Sequence, residues 1–379
     1  MSSPQEFFGN IADLIRGIPR DIILLLNRLP YVHLDPENDV RGVIVILMTA
    51  ILAIYGLTNL LLAPWLERKV MARMMGRRGP VYVGKFGLLQ LIADIFKLIS
   101  KEDTMPMTAD KFGFNLAIFM MGIATIMSFA PIPWARGVVG ANMDIGLLYV
   151  FAVFSVFPPA MLLGGWASNS KYSLIGGFRA AAQLVAYEIP MMLSILGVLI
   201  FSGSLNLMTI VEEQYSNGWY VYRAFPGLFI AFVIFLFASL AETERTPFDI
   251  PEAEGELVMG PRTEFSGWRY AIILMVEYIH MYVNVILVIV LFLGGWDVIP
   301  VIHGVNYPEF LWMIKDNRLI QFLAFNVKIY IGVFFVTWVR VSFPRFRIDQ
   351  FIEWGWKTLL PLSFIALGIV VVYAGLLVA

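Results

Sequence analysis

The sequence predicts an all-α, polytopic membrane protein, on three observations. Hydrophobic residues make up 59% of the 379-residue chain and charged residues only 15%, whereas soluble domains carry about 25% charged residues. The apolar residues also gather into runs of roughly 20, the number a helix rising about 1.5 Å per residue needs to cross about 30 Å of hydrocarbon. Finally, lipid offers backbone amides no partners, so runs of this length bond internally as helices rather than as open sheet.

Eight spans are expected, at 43–64, 113–132, 145–166, 184–204, 224–242, 270–295, 320–340 and 359–378. The fourth is the least uniform, with Glu188 and Pro190 near its start. Before the first span, Phe7, Phe8, Ile11, Leu14, Ile15 and Ile18 recur at helical spacing with Asp13, Arg16 and Arg20 between them. Residues 1–42 are therefore expected to form an interfacial segment, with packing beside the bundle as the other arrangement. No cationic start, short apolar run and small-residue cleavage site marks a signal peptide there. Residues 43–379 follow as one membrane domain without internal repeats or long linkers.

Cationic residues set the orientation. Loops 65–112, 167–183, 243–269 and 340–358 carry 18 Lys and Arg, nine of them in the first; the opposite side carries eight, and Lys328 lies inside a span. The positive-inside rule places these loops in the cytoplasm and both termini outside. A net charge of −1 argues against nucleic-acid binding. The absence of cysteine removes thiolate-held iron–sulfur clusters and disulfides, and His33, His280 and His303 leave little for a metal. No redox centre is expected on this chain.

In the first cytoplasmic loop, Gln90, Asp94, Lys97 and Lys101 form one polar stripe on an otherwise apolar helix over 86–101. Sixteen residues are short for a span, so this helix is expected along the membrane surface or against the bundle. Upstream, Glu67, Arg68, Lys69, Arg73, Arg77 and Arg78 concentrate charge before Gly79-Pro80.

Loop 243–269 is acidic. With the flanking Glu242 it holds Glu244, Asp249, Glu252, Glu254, Glu256 and Glu264 against Arg245, Arg262 and Arg269, and Pro247 and Pro251 interrupt any helix. Crowded carboxylates raise each other's proton affinity and titrate together. Two readings fit, a hydrated acidic loop or a chain of groups that hands protons along. Glu188 and Glu277 fall inside expected spans, where ionisable groups are costly and point to proton or ion movement; Lys328 would be their counter-ion or a separate relay. Glu277-Tyr278-Ile279-His280 has the Glu-x-x-His spacing of di-iron bundles, but such sites need two of these motifs on different helices, and no second one occurs.

Three segments resemble one family. ERKVMARMMGRRGPVYVGKFGLLQLIADIFKLISKED at 67–103, AETERTPFDIPEAEGELVMGPRTEFSGWRYAIILMVEY at 241–278 and WVRVSFPRFRIDQFIEWGWKTLLP at 338–361 are similar to the cytoplasmic loops of the H subunit of respiratory complex I, the NADH:quinone oxidoreductase. The resemblance implies a subunit that forms much of a quinone tunnel and couples quinone reduction to proton translocation. Quinone would be substrate, while iron–sulfur clusters and flavin would reside in partner subunits of the peripheral arm; antiporter-like membrane subunits would be further neighbours. It further implies an energy-coupling membrane, expected to be a prokaryotic plasma membrane.

Carried over by the resemblance, the tunnel residues are Glu67, Arg68, Arg77, Asp94, Lys97, Arg245, Phe248 and Asp249, and the proton path is Glu188, Glu242, Glu252, Glu254, Glu256, Glu264 and Glu277. Val81 and Lys85 depart from the family's usual Asn and Pro. Two other readings stand beside this one. The chain would be the corresponding membrane subunit of an energy-converting hydrogenase or of a ferredoxin- or deazaflavin-dependent complex, or else a stand-alone proton or cation transporter. A transporter calls for inverted repeats, and none is found.

Overall fold

The computed structural model describes residues 38–251, 254–300 and 315–378. It is a helical bundle, in line with the predicted class. Five helical stretches are long and apolar enough to cross a bilayer: Gly146–Ala167, Lys171–Ser202, Gly267–Phe292, Arg318–Ser342 and Ile348–Leu376. Two shorter apolar helices, Lys111–Met127 and Gly227–Glu242, coincide with the expected second and fifth spans. The expected first span lies within Asn38–Met74. The interfacial segment expected at 1–42 lies almost wholly outside the described residues, as does His303.

Helix α1 (Asn38–Met74) runs 37 residues, about 55 Å at helical rise. That exceeds the hydrocarbon thickness, so its last turns, which carry Glu67 and Arg68, extend past the apolar stretch. A one-turn 3-10 segment at Lys85–Gly87 leads into α2 (Gln90–Ser100), whose 11 residues are too few to span. No residue of α2 is buried, and Ile92, Phe96 and Ile99 are exposed.

Helices α3 (Lys111–Met127), α4 (Gly146–Phe154) and α5 (Phe157–Ala167) follow. Between α3 and α4 a small hairpin pairs Pro133–Ala135 with Val138–Val139, the one departure from an all-helical chain among the described residues. Gly137 permits it, its φ of 77° closing the tight turn at no steric cost.

Helix α6 (Lys171–Ser202) begins well before the expected fourth span. Small residues at Gly176, Gly177 and Ala180 let it pack closely from its first turns. Glu188 therefore stands near the middle of the helix rather than at its start. Beyond α7 (Leu207–Asn217) and the single turn α8 (Tyr220–Arg223) comes α9 (Gly227–Glu242), then the short α10 (Glu254–Leu257). Helix α11 (Gly267–Phe292) is central, with every residue from Ile279 to Phe292 buried. Helix α12 (Arg318–Ser342) packs on α1 and α11, and α13 (Ile348–Trp354) passes through a π-helical turn at Gly355–Leu359 into α14 (Leu360–Val378).

The loops sort to two ends. At one, Phe346 N donates to Pro247 O at 3.1 Å, Ser173 Oγ donates to Pro261 O at 3.1 Å, and Arg179 pairs with Glu256 at 2.6 Å. At the other, the Arg136 amide donates to Gln321 at 3.2 Å, Asn206 donates to Asn142 at 2.8 Å, and Trp219 donates to Asp297 at 2.9 Å. Loop 65–112 joins the first end through Thr104 N, which donates to Ser266 Oγ at 2.8 Å, so residues of all four loops expected to be cytoplasmic gather there. Between the ends the core is mainly aliphatic, with the large rings of Trp134, Tyr187, Phe235, Tyr282 and Phe292 fully buried in it.

Candidate functional site

A chain of alternating charges crosses the interior where the loop-rich end meets the helices. Arg340, near the end of α12, pairs with Glu67 of α1. Arg245 reaches the same carboxylate, with Nη1 3.3 Å from Glu67 Oε1, and its Nε lies 3.1 Å from Oε1 of Glu277 on α11. Glu277 Oε2 accepts a 2.7 Å bond from Arg262 Nη1, and Arg262 Nη2 lies 3.4 Å from Glu244 Oε2. Glu67, Arg245 and Arg262 are at most 4% exposed. Buried ions are tolerated when each faces an opposite charge, and alternation provides that here.

Local structure explains how loop residues reach the interior. Glu244 adopts φ 50°, a left-handed conformation rare outside glycine, and so reverses the chain at the end of α9. Gln183 of α6 ties that reversal down, its side-chain amide donating to Ala241 O at 2.8 Å and to Phe248 O at 2.9 Å. Arg245 then stacks on Tyr278, 4.3 Å from the ring centroid. Burial works against its charge, but Glu277 and Glu67 outweigh that and hold the guanidinium above its ordinary value. Arg262 sits on the 3-10 turn Gly260–Arg262, which presses against α6 so closely that a Cβ on Gly176 would stand 2.6 Å from Gly260 Cα.

Glu242 ends α9 fully buried, with His280 Nε2 3.9 Å from its Oε1. Glu242, Glu244, Arg262, Glu277 and His280 border one cavity of about 10 Å³. Glu188 and Glu244 lie near enough to act electrostatically on Glu242. Glu188 itself faces an apolar groove of about 470 Å³ between α4 and α6, lined by Leu147, Phe151, Val185, Ile189 and Met192 among others.

Around this chain the other expected residues take separate positions. Arg68 pairs with Asp94 and so ties α1 to α2, while Lys97 and Arg77 are exposed. Phe248 is buried among Tyr187, Phe346, Phe351 and Trp354. Asp249 accepts from Arg345 at 2.9 Å; burial raises its carboxyl above the ordinary value despite Arg345, Arg262 and Arg340. Glu256 is at the surface with Arg179, and Glu264 is half-buried. Glu252 and the side chain of Glu254 lie outside what is described.

Arg262, Glu244, Arg340 and His280 complete the cluster and were not among the expected site residues. Arg262 and Glu244 fall within the acidic loop already singled out, but no spacing in the sequence separates them from its solvent-facing members.

The fold and this cluster define a class, a multi-pass membrane protein with a paired charge chain buried beneath its loops. The chain belongs to the NADH dehydrogenase family, whose model matches residues 46–371. It is similar to the H subunits of NADH-quinone oxidoreductase from Bacillus cytotoxicus, Bacillus thuringiensis and Bacillus cereus. Each is 45% identical over 325 residues, covering 85% of this chain and 90% of the relative.

Proposed function

We propose that the chain is the membrane subunit of a complex I-type NADH:quinone oxidoreductase at which quinone reduction is coupled to proton translocation. The relatives' names and the family support the assembly. One contact carries the coupling: Arg245, of the expected quinone set, pairs with Glu277, of the expected proton path. Reducing a quinone changes the charge it presents, and a change near Arg245 or Glu67 reaches Glu277 through one guanidinium. In water-poor surroundings such a shift is weakly screened, so it alters the proton affinity of each carboxylate along the chain.

On this reading Glu67, Arg68, Arg77, Asp94, Lys97, Arg245, Phe248 and Asp249 border the quinone's path. Protons travel by Glu277 and Glu242 to Glu188, with Glu252, Glu254, Glu256 and Glu264 on the loop side. The exposed apolar residues of α2 lie at the membrane surface where a quinone leaves the lipid. Exposed Tyr82, Phe86 and Met107 on the first loop meet peripheral subunits that hold the iron–sulfur clusters and flavin. The loop-rich end faces the cytoplasm of a prokaryotic cell, and both termini face outward.

The test measures protons moved per electron by the whole complex in liposomes. Glu277→Gln is expected to lower that ratio while the complex still assembles; an unchanged ratio removes Glu277 from the path and sinks the reading.

A further inference from the structure

His280 belongs to neither expected residue set, yet it occupies the junction of the buried acids. Its side chain is 5% exposed, and its Nε2 has no hydrogen-bond partner among the described residues. That nitrogen lies 3.9 Å from Glu242 Oε1, and Glu242 Oε2 likewise has no partner among them. Both groups border the cavity that also receives Glu244, Glu277 and Arg262. About 10 Å³ is the smallest volume that admits one water, and a water there finds several polar partners.

Packing fixes the imidazole at this place. Phe157 stacks on it with centroids 4.6 Å apart and planes 27° apart, and Phe154 meets it edge-on at 4.5 Å. These rings sit at the junction of α4 and α5 and hold Nε2 toward the cavity. A buried histidine ordinarily satisfies both nitrogens; leaving one open beside a carboxylate is the arrangement of a group that exchanges protons.

We propose that His280 is a proton relay joining Glu242 to the Glu244 and Glu277 arm of the buried chain. The inference rests on the proton-path reading above and adds to it a titrating group that is not a carboxylate. A proton leaves Glu242 for the neutral Nε2, forming a carboxylate and an imidazolium. It then leaves the same nitrogen, directly or across one water, for Glu244 or Glu277. The ring ends neutral and one proton has moved, so no co-reactant is consumed. The groups facing the ring's cavity are Glu242, Glu244, Glu277 and Arg262, and Glu188 acts on it through Glu242.

The experiment uses the assembled complex in liposomes, with NADH as donor and a short-tail naphthoquinone as acceptor, and records protons moved per electron from mildly acidic to mildly alkaline pH. His280→Gln keeps a polar group beside Glu242 without a titrating nitrogen, and His280→Phe removes both. At least a roughly twofold fall in the ratio for both variants is expected, with the pH profile altered. A full ratio and unchanged profile in His280→Gln would overturn the relay, since a merely structural histidine is replaced by that variant; if His280→Phe fails to assemble, His280→Gln decides alone. Glu242→Gln and Glu277→Gln run in parallel separate the two claims. If they lower the ratio while His280→Gln does not, the relay alone fails; if they too leave it unchanged, the proton-path reading fails with it.

Discussion

Arg245 Nε stands 3.1 Å from Glu277 Oε1, although Arg245 belongs to a loop and Glu277 to the interior of α11. The same guanidinium holds Glu67 of α1. One side chain therefore links acids from two helices, and its loss leaves Glu67 to Arg340 and Glu277 to Arg262 alone.

Removing one partner of a buried ion pair costs about 3–5 kcal/mol, chiefly because the other charge is left uncompensated. Arg245→Met is expected to lower the Tm of the complex or block its assembly. Adding Glu277→Gln should recover part of the loss, because the remaining Arg340–Glu67 and Arg262–Glu244 pairs then balance. A double mutant no better than Arg245→Met would show that the pair is not the source of the effect.

The Arg68–Asp94 pair has the opposite character. Arg68 is 42% exposed, and exposed pairs contribute less than about 1 kcal/mol. Arg68→Ala should leave Tm nearly unchanged while raising the apparent KM for quinone, since it frees α2 from α1; Arg77→Ala should raise KM by removing an exposed cation. Burial raises the Asp94 carboxyl, but hydrogen bonds from Arg68 and Gln90 outweigh it and hold the group below the ordinary aspartate value of 3.8. The pair's contribution is thus complete above pH 3.8 and is lost as pH falls through the lower, folded value. Protease resistance of the 85–101 segment should stay flat from neutral pH down to about 5 in the wild type, and a drop within that range would contradict the assignment.

Among the described residues lining its apolar groove, Glu188 is the one that carries charge. A charge at such depth is costly, so Glu188→Leu is expected to raise Tm, by up to about 3 kcal/mol of stability, while lowering protons moved per electron. A stabilised variant that pumps normally would mark the carboxylate as dispensable.

Lys328 behaves as a cap. Its ammonium donates to Leu293 O at 2.7 Å, Gly295 O at 3.1 Å and Asp297 O at 2.6 Å, and lies 4.1 Å from the Trp219 ring centroid. All three N–H groups are committed to carbonyls of the turn 293–297 that follows α11. Charged hydrogen bonds contribute about 1.5–3 kcal/mol each, so Lys328→Met should lower Tm measurably. Protons per electron should hold; a fall in that ratio at unchanged Tm would make Lys328 a relay instead.

Much was legible from the chain alone. Apolar runs specify helices because lipid leaves backbone amides no other partner, and counting those runs told which loops share an end, loop 65–112 joining loop 243–269 through Thr104 and Ser266. Glu188 and Glu277 stood out because charge is rare in such runs. Helix limits were less legible: Lys171–Gln183 is rich in small and polar residues that hydropathy assigns to a loop, and only their packing against α5 and the Gly260 turn makes them helical.

What the linear order determined is composition, the helices and the acids within them, since each depends on residues near one another along the chain. What tertiary structure decided is which charges meet. Arg245 selects Glu67 and Glu277, Arg262 selects Glu277 and Glu244, and His280 faces Glu242, whereas Glu256, equally acidic in sequence, pairs with Arg179 at the surface. Those choices follow from a backbone reversal at Glu244 and from α11 packing on α1, contacts between residues far apart in the chain that no local pattern encodes.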